Sequence, residues 1–419
     1  MKIAIIGSGI AGNTIAWHLN KKHDITVFEA DAHVGGHTHT HQVEAFGREY
    51  NIDTGFIVYN DWTYPNFIKM LDTLGVETQS SSMSFSVSDE VSGLEYNGTS
   101  LNSLFAQRSN LFRPKFLWMI RDILRFNKEA PLLLDDSNQD MSFGEYLKKH
   151  AYSQSFIRNY IVPMGSAIWS ADPNQMFQFP AKFFIRFFHN HGMLSVSNRP
   201  EWRVIKGGSQ SYVSKLTAEF KDRIQLSSPI EKVTRIENGV LVKPKGADAQ
   251  KFDWVFFACH SDQALNMLTD ASQDEKTILG ALPYQKNTIV LHTDSKLMPK
   301  RRLAWAAWNY HLTAKPLGLA AVTYNMNILQ SLDSPEPFLV TLNHTANIDP
   351  TKIIKTLNYT HPVFTAEGID AQSKHAVISG VNKTAYAGAY WRNGFHEDGV
   401  ASALAALQHF EDAQTKARH

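Results

Sequence analysis

The first 29 residues constrain what this chain can fold into more than any other stretch does. Residues 3–6 read Ile-Ala-Ile-Ile, a short apolar run bounded by glycine, which is typical of a strand buried on both faces. Residues 7–12 follow as Gly-Ser-Gly-Ile-Ala-Gly, then a helix-compatible segment, and a second strand over residues 25–28 ends at Glu29. The order of strand, glycine loop, helix, strand and acid predicts a dinucleotide-binding βαβ unit.

Each glycine of this loop has a mechanical reason. Gly7 lets the chain turn sharply out of the strand, Gly9 lets a pyrophosphate approach the backbone, and Gly12 lets the helix pack close to the sheet. The helix N-terminus then offers free N–H groups to the phosphates. Glu29 lies 22 residues after Gly7, near the offset expected of an acid that binds the ribose hydroxyls. At this point either NAD or FAD fits.

Composition narrows the class of protein. With 43% hydrophobic and 19% charged residues over 419 positions, we expect a globular, soluble chain of two or three domains. The formal charge of +1 gives no bulk attraction to nucleic acid. The single cysteine, Cys259, excludes an internal disulfide and favours a reducing compartment. Because neither a signal peptide nor an apolar run of about 18 residues is present, we expect a cytoplasmic protein without membrane-spanning helices.

The segment after Glu29 combines glycines with histidines. Residues 35–36 are a glycine pair, a second place where backbone can touch phosphate or flavin. His33, His37, His39 and His41 lie close together, but no acid or cysteine completes a ligand set, so no metal is expected. Further on, residues 51–60 form a strand-like run that is interrupted by Gly55. That glycine suits the close approach of a ligand, although an ordinary bulge explains it equally well.

These motifs together resemble one known superfamily. The glycine loop, Glu29, the pair at residues 35–36 and the Asp53-x-Gly55 segment resemble the flavin-containing amine oxidoreductases. That superfamily includes amine oxidases, phytoene-type desaturases and a fatty-acid double-bond isomerase. The resemblance implies two further features, a late strand of the FAD domain and a C-terminal flavin-contact motif.

Both features are present later in the chain. Residues 230–242 read as a hairpin around an Asn-Gly turn, and residues 253–260 predict a buried parallel strand that returns to the FAD sheet. Residues 384–403 resemble the C-terminal motif, with a strand ending at Gly388 and a helix beginning near Asp398. A helix start at that place would stabilise negative charge on a reduced flavin.

The resemblance implies an α/β, Rossmann-like FAD-binding domain interleaved with an α+β substrate domain of mixed sheet and helices. We expect the FAD-binding domain to comprise residues 1–60, 201–265 and 376–419. The substrate domain is expected to comprise residues 61–200, as a helical part, and residues 266–375.

FAD is expected to bind non-covalently, because no cysteine lies in the C-terminal motif. The residues expected to contact it are Gly7, Ser8, Gly9, Ile10, Ala11, Gly12, Glu29, Ala30, Gly35, Gly36, His37, Thr38, Thr54, Gly55, Phe56, Ile57, Val233, Gly388, Phe395, Glu397, Asp398, Gly399 and Val400. Val233 is expected to contact the adenine through its backbone.

A fuller set of motifs resembles a narrower group. Residues 35–38, 53–60, 163–170, 290–294 and 394–400 resemble bacterial FAD-dependent proteins often found with cyclopropane-fatty-acid-synthase-like methyltransferases. The resemblance implies an enzyme that transfers hydride from a fatty-acyl or other lipid substrate to flavin N5, by desaturation or double-bond rearrangement. Oxygen or an electron carrier would re-oxidise the flavin.

Five polar residues are candidates for the reaction: Tyr59, His292, Asn309, Tyr310 and His396. Buried polar residues more often serve as hydrogen-bonded structure, so each candidate has a purely structural alternative. Tyr59 and His396 rank first because they neighbour segments that are expected to contact the flavin.

Two other functions stay open. An amine oxidase would release aldehyde and hydrogen peroxide, but Lys286 comes too early in its strand to match the lysine that many amine oxidases place near flavin N5. An aromatic cage for an amine would pair Phe395 with Tyr390, Trp391 or Tyr59. A non-catalytic flavoprotein that serves a lipid methyltransferase is the third alternative.

Two apolar segments of the first insertion also allow alternatives. Residues 114–126 read as a basic amphipathic helix, which either lies on a membrane surface, at the inner face of the membrane, or packs against the core with solvated basic side chains. Residues 177–188 carry six phenylalanines, which either line an apolar tunnel or belong to the core.

Overall fold

The structure, a computed structural model, describes residues 1–135 and 141–416. Its strands in chain order are β1 (Lys2–Ile6), β2 (Asp24–Phe28), β3 (Thr40–Ala45), β4 (Arg48–Asp53), β5 (Val58–Asn60), β6 (Thr78–Ser80), β7 (Phe85–Asp89), β8 (Glu95–Asn97), β9 (Trp202–Ile205), β10 (Ile224–Gln225), β11 (Ile230–Ile236), β12 (Gly239–Pro244), β13 (Gln250–Phe252), β14 (Trp254–Phe257), β15 (Tyr284–His292), β16 (Trp308–Leu312), β17 (Val322–Asn325), β18 (Leu339–Leu342), β19 (Ile353–Pro362) and β20 (Thr384–Tyr386).

The α-helices of the same residues are α1 (Ile10–Leu19), α2 (Pro65–Thr73), α3 (Leu101–Leu104), α4 (Pro114–Glu129), α5 (Phe143–Lys149), α6 (Gln154–Phe156), α7 (Val162–Trp169), α8 (Ala181–Asn190), α9 (Gln210–Thr217), α10 (Ser261–Met267), α11 (Gln273–Gly280), α12 (Met326–Leu329), α13 (Ala366–Ser373), α14 (His375–Ile378) and α15 (His396–Lys416). Short 3-10 turns join several of them.

A five-stranded parallel sheet organises the chain, in the order β10-β2-β1-β14-β20. Its central strands are apolar on both faces because each face is covered. Helices α1 and α15 pack on one face, and the hairpin of β11 and β12 with helices α10 and α11 packs on the other. Since these strands come from both ends and the middle of the chain, the chain leaves the sheet and returns to it twice.

A second, seven-stranded sheet has the order β19-β15-β18-β17-β16-β7-β8 and is antiparallel except where β16 pairs with β7. Helices α4, α5, α7 and α8 share its apolar core. The sequence predicts that residues 61–200 form a helical part. In the structure this part is not wholly helical, because β7 and β8 join the seven-stranded sheet. The alternation Phe-Ser-Val-Ser over residues 85–88 is the strand signal that explains the difference.

The predicted fold class is confirmed, since the structure combines the Rossmann-like parallel sheet with a mixed sheet and helices. The predicted hairpin is present as β11 and β12, and the buried parallel strand is present as β14. Helix α15 begins at His396, two residues before the expected start. The division into five segments at residues 60, 200, 265 and 375 stays a prediction.

The tunnel and core alternatives for the phenylalanines of residues 177–188 both stay predictions, and most of these side chains are buried. Phe179, Phe184, Phe187 and Phe188 are buried in the apolar core beneath the seven-stranded sheet, while Phe183 is half-buried. In the described parts of the chain, no helix combines the length and apolar character needed to cross a membrane.

We expect one buried ion pair to stabilise the parallel sheet against its covering layer. Arg235 Nη1 lies 2.7 Å from Glu275 Oε1, and Tyr386 donates a hydrogen bond to the same carboxylate. Replacing Glu275 with alanine removes one of the two carboxylates that pair with the buried Arg235 guanidinium. The free energy of unfolding should therefore fall by about 3 kcal/mol. Urea denaturation followed by circular dichroism measures this loss.

The matched control is Asp370→Ala, which removes the exposed ion pair with Lys374. An exposed pair contributes less than about 1 kcal/mol, so this variant should unfold almost as the parent protein does. Equal losses in the two variants would contradict the role of burial.

Candidate cofactor-binding site

Two helix N-termini meet at the carboxyl edge of the parallel sheet. A Cβ built on Gly399, near the start of α15, would lie 2.6 Å from Ile10 Cγ2 at the start of α1. The position of a Cβ on Gly9, by contrast, has no heavy atom within 4 Å. The first N–H groups of both helices therefore face one region that has room for a ligand, and both helix dipoles favour a negative charge there.

The second glycine pair packs directly on the first glycine loop. The Gly35 N–H donates to the Ser8 carbonyl at 3.0 Å, and a Cβ on Gly36 would lie 3.2 Å from Gly9 Cα. Gly12 has no room for a Cβ because the Gly7 carbonyl oxygen would lie 1.9 Å from it. The structure thus brings residues 7–12 and 35–36 into the single cradle that their sequence predicts.

Glu29 lies at the end of β2 beside this cradle. Its carboxylate accepts hydrogen bonds from the Ser8 N–H at 2.8 Å and the Ser8 hydroxyl at 2.6 Å. The Asp31 N–H donates to its other oxygen at 2.9 Å. These contacts hold the acid in position at the place where a ribose would bind.

Gly55 lies against the backbone of His37, and its contact with the cofactor stays a prediction. A Cβ on Gly55 would lie 1.9 Å from the His37 carbonyl oxygen, and the next residue, Phe56, donates its N–H to that same oxygen at 2.8 Å. The space where a Cβ of residue 55 would lie is filled by the protein's own backbone. A single sequence cannot distinguish these two kinds of close approach.

The role of Val233 as the adenine contact stays a prediction. Its carbonyl accepts the Thr269 N–H at 3.0 Å and its side chain is buried. The chain approaches the Glu29 segment three to five residues earlier, where the Ser228 N–H donates to the Glu29 carbonyl at 2.7 Å. Half-buried Ile230, at the start of β11, is therefore better placed than Val233.

His396 joins the segments that were expected to contact the flavin. Its Nε2 lies 2.6 Å from the Tyr212 hydroxyl and 3.2 Å from Thr38 Oγ1, and its ring stacks on Phe56 with centroids 3.6 Å apart. Burial, with a smaller contribution from His37, lowers the pKa of His396 to about 3, so the ring is neutral. Tyr212, which the sequence analysis did not single out, lies on the buried face of α9. The helix follows the glycine pair at residues 207–208.

Three side chains at the start of α15 that were expected to contact the cofactor have partners within the protein. The Glu397 carboxylate accepts the N–H of Phe67 at 2.9 Å and the side-chain amide of Asn66 at 2.6 Å, so it caps α2. Asp398 accepts the Phe395 N–H at 2.9 Å, and burial raises its pKa to about 7. Val400 packs in the core. The helix therefore offers its backbone to a cofactor, while these side chains stabilise the protein.

The remaining expected contacts surround the same region. The Gly388 N–H donates to Ser402 Oγ at 2.9 Å, which fixes the end of β20 to α15. Ala30 is exposed, Ile57 is half-buried, and Ala11 is buried under α15.

A histidine seam, defined as His33, His37, His39, His41, Tyr359 and His361, joins this region to β19. The rings of His33 and His39 stack with centroids 3.9 Å apart. Tyr359 donates to or accepts from Thr54 Oγ1 at 3.0 Å, and the His37 ring lies 5.4 Å from that of His361. Within the described residues, no three of these side chains or neighbouring acids form a metal-binding group.

Burial favours the neutral form of several groups in the seam and beside it. Burial lowers the pKa of His37 and of His260 to about 4, and raises that of the Cys259 thiol to about 12. His37 Nε2 is buried and has no hydrogen-bond partner among the described residues. It is therefore available to a bound ligand.

His292 has hydrogen-bond partners for both ring nitrogens at the end of β15. Its Nε2 bonds Thr341 Oγ1 at 2.7 Å, and its Nδ1 accepts the Asp294 N–H at 3.0 Å. Tyr284, at the other end of the strand, stacks on His260. Eight residues of extended chain place His292 about 27 Å from that end, and its catalytic role stays a prediction.

The other candidates have structural partners. All polar atoms of the Asn309 side chain are engaged, by Ser86 and by the backbone of Ala306 and Thr323. Tyr310 is buried in the apolar core on β16, and burial raises its pKa. These two residues serve the seven-stranded sheet.

Tyr59 is connected to His396 through the ring of Phe67. Its ring centroid is 5.5 Å from that of Phe67, which is itself 5.3 Å from the His396 ring. The catalytic roles of Tyr59 and His396 stay predictions.

An amide occupies the inner side of β15 where a lysine was considered. Lys286 is exposed, whereas Asn287 is buried and its Nδ2 lies 2.8 Å from His361 Nδ1. Alternation along a strand requires this arrangement, because neighbouring residues point to opposite faces. The sequence analysis did not single out Asn287. Because neighbouring residues of a strand face opposite sides, a solvent-facing Lys286 implies that Asn287 faces inward.

Aromatic side chains form a wall beside the start of α15. Phe395 stacks on Phe187 with centroids 5.0 Å apart, and Phe187 also contacts Trp169 at 4.8 Å and His191 at 3.8 Å. Trp169 donates its indole N–H to the Asn393 carbonyl at 3.3 Å. We call Trp169, Phe183, Phe187, His191, Phe364 and Phe395 the aromatic wall.

The pairing expected for an amine cage is different in the structure. Tyr390 and Trp391 contact each other in the core on the opposite side of the parallel sheet, and Tyr59 packs with Tyr64 and Phe67. The ring neighbours of Phe395 come instead from α8 and the residue after it.

Comparison with known proteins agrees with this geometry. The profile of the family described as flavin containing amine oxidoreductase matches residues 10–313. No curated protein matches the chain in sequence.

Solved structures share the fold at low identity. Cyclohexylamine oxidase from Brevibacterium oxydans IH-35A is 16% identical with a TM-score of 0.68, covering 98% of this chain and 99% of that chain. The CLA-producing fatty acid isomerase from P. acnes is 16% identical with a TM-score of 0.69, covering 97% and 98%. A putative protoporphyrinogen oxidase from Exiguobacterium sp. 255-15 is also 16% identical, with a TM-score of 0.69 and 99% coverage of each chain.

Gly9→Ala should separate cofactor binding from folding. The backbone of Gly9 has φ −67°, which alanine adopts freely, and its methyl group would enter the open space at the cradle. We expect the protein to fold normally but to lose about tenfold or more in flavin affinity, because the methyl group occupies the place of the pyrophosphate. Flavin absorbance per protein after purification measures the loss.

Two further variants control this experiment. Gly280→Ala, at the end of α11, meets only a leucine methyl at 3.8 Å and should retain full flavin content. Gly12→Ala should fail to fold well because its Cβ collides with backbone. Full flavin content in Gly9→Ala would contradict the assignment of the cradle.

Acid should destabilise the protein through the histidine seam. Burial and His37 lower the pKa of His361 from 6.5 to about 3, so the unfolded chain binds a proton that the folded chain refuses. The stabilisation is complete above pH 6.5 and is lost as the pH falls from 6.5 toward 3, by at most about 1.4 kcal/mol per pH unit for each such histidine. Urea denaturation at several pH values measures the slope.

His361→Gln should reduce that slope, whereas His189→Gln, which changes an exposed histidine, should leave it unchanged. A slope that is the same in both variants would show that His361 does not contribute.

Proposed function

Because the chain belongs to the flavin-containing amine oxidoreductase family, we propose that this FAD-dependent oxidoreductase acts on an apolar fatty-acyl or lipid substrate. Bound FAD supplies the two-electron chemistry, by accepting hydride from a substrate C–H bond at N5. Loss of hydride from one carbon and a proton from its neighbour would leave a double bond. Oxygen or an electron carrier would re-oxidise the cofactor, whereas double-bond rearrangement would need no net oxidant.

The residues fit FAD on their own geometry. The cradle of Gly9 and Gly36 would hold the pyrophosphate, and Glu29 the ribose. The backbone at the start of α15 would face the flavin end, and His37 Nε2 supplies an unpaired polar atom beside the cradle.

The observation that carries the substrate proposal is the aromatic wall. Phe395 is adjacent to the start of α15 and stacks on Phe187, so the wall begins where the flavin end of the site is expected. Its single titratable member, His191, donates its Nδ1–H to the Phe187 carbonyl at 2.9 Å, and burial lowers its pKa to about 4. An uncharged aromatic surface favours a hydrocarbon chain and excludes water.

The structural neighbours support two substrate classes. The fatty acid isomerase by its name acts on a fatty acid, and the cyclohexylamine oxidase and putrescine oxidase by theirs act on amines. The exposed position of Lys286 favours the first class, because the lysine considered for amine oxidation points away from the inner side of β15. Oxidation of amines remains the second candidate because the family includes it.

Anaerobic mixing with extracted bacterial phospholipids tests the proposal. Bleaching of the flavin absorbance near 450 nm, together with new acyl products by mass spectrometry, is the expected result; rearrangement alone would give products without lasting bleaching. Peroxide release with a panel of amines, and none with lipids, would favour an amine oxidase. A flavin that neither substrate class reduces or perturbs, with no acyl products formed, would favour a non-catalytic partner of a lipid methyltransferase.

Phe395→Ala should impair lipid turnover without loss of cofactor. Removing the ring opens the wall beside the cofactor, so we expect lipid-dependent turnover to fall by about tenfold through poorer positioning of the chain. Stopped-flow absorbance and acyl-product analysis measure the rate, and flavin content checks the site. Phe46→Ala, which changes an exposed turn residue far from Phe395 in the sequence, is the control. If both variants react like the parent protein, the wall does not bind the substrate.

A further inference from the structure

Large apolar side chains that face solvent are concentrated in one short segment. Of the 19 exposed large hydrophobic residues in the described chain, seven lie between residues 101 and 132. The seven are Leu101, Leu111, Phe112, Leu117, Trp118, Leu124 and Leu132. Phe112 is 85% exposed and Trp118 is 52% exposed, which is unusual for aromatic residues of a folded chain.

Helix α4 has one apolar face that is covered and another that is not. Phe116, Met119 and Phe126 are buried in the core below the seven-stranded sheet. Leu117 and Leu124 lie seven residues apart, on the opposite side of the helix, with Trp118 beside them. We call Phe112, Leu117, Trp118, Arg121, Leu124 and Lys128 the α4 face.

The same segment is strongly basic. Residues 101–132 contain six Lys or Arg and two acids, so they carry a formal charge of +4 in a chain whose total is +1. One acid, Asp122, is buried and accepts the Ser153 N–H at 2.9 Å. The other, Glu129, lies 3.9 Å from Arg125, which offsets its charge. The segment that carries the uncovered apolar side chains therefore has an excess of positive charge.

Basic and apolar groups are also mixed within the face itself. The guanidinium carbon of Arg121 lies 4.6 Å from the Trp118 ring, and successive positions alternate between apolar and basic along the exposed stripe. Such a pattern matches the boundary between the head groups and acyl chains of a bilayer, where aromatic rings insert and cations meet lipid phosphates.

We propose that the α4 face docks on the surface of an anionic lipid bilayer. Charge complementarity selects this occupant, since the apolar residues would enter the interface while Arg121 and Lys128 contact negative head groups. Binding would be peripheral, because the described helices are not of the kind that cross a membrane. The inference stands on this surface alone and does not require a lipid substrate.

Vesicle co-sedimentation of the FAD-loaded protein tests the proposal. We expect binding to vesicles of equal parts phosphatidylglycerol and phosphatidylcholine to exceed binding to pure phosphatidylcholine by tenfold or more. High salt should weaken it, because the Debye length falls to about 3 Å at 1 M. Equal binding to the two vesicle types, or no binding to either, would overturn the proposal.

Variants assign the binding to the face. Phe112→Ser with Trp118→Ser should lower the bound fraction about tenfold, and Arg121→Gln with Lys128→Gln should remove the preference for phosphatidylglycerol. Ile236→Ser with Val377→Ser, which changes two exposed residues of the other half of the molecule, should bind as the parent does. Because all these side chains are exposed, unchanged thermal unfolding and flavin content confirm that the variants fold.

Light scattering separates lipid from protein as the occupant. If the parent protein is a dimer and Phe112→Ser with Trp118→Ser makes it monomeric, a second copy covers the face and the proposal is wrong. Vesicle binding is measured without turnover, so it can succeed even if no lipid reduces the flavin.

Discussion

The contact between Gly399 and Ile10 is the constraint on which the rest of the structure depends. It brings together the starts of two helices that are separated by nearly the whole chain. The contact requires β1 and β20 to enter one parallel sheet through β14, and it requires everything between them to leave and return. Two helix dipoles then point at one place, which supplies positive potential without a positively charged side chain.

Hydrogen bonds between distant segments hold that place in shape. Buried Asp53 accepts the hydroxyl of Thr40 at 2.6 Å and the N–H of Ser209 at 2.9 Å, so it fixes β3 and the start of α9 to β4. His396 does the same for Thr38 and Tyr212. Because burial keeps the nearby histidines neutral, the site combines helix dipoles, neutral polar groups and an aromatic wall. That combination is suited to an anionic cofactor beside an apolar substrate.

The predicted site residues that the structure brings together are those whose chemistry is local. The glycine loop, Glu29 and the pair at residues 35–36 have roles set by backbone conformation within a few residues. The assignments that receive least support from the structure are those for which distance along the chain matters. His292 has a suitable side chain but lies at the far end of β15, and Val233 lies three residues beyond the point where its strand passes the cradle.

The sequence by itself determined the βαβ unit, the family and the cofactor, because each rests on glycine, an acid and periodicity at short spacing. Only the tertiary structure decided that Glu397 caps α2, that Gly55 admits the protein's own backbone and that Asn287, not Lys286, faces inward. It also showed that α4 has a second, uncovered apolar face. These outcomes depend on which surfaces meet, and a packing partner hundreds of residues away leaves no local signal in the sequence.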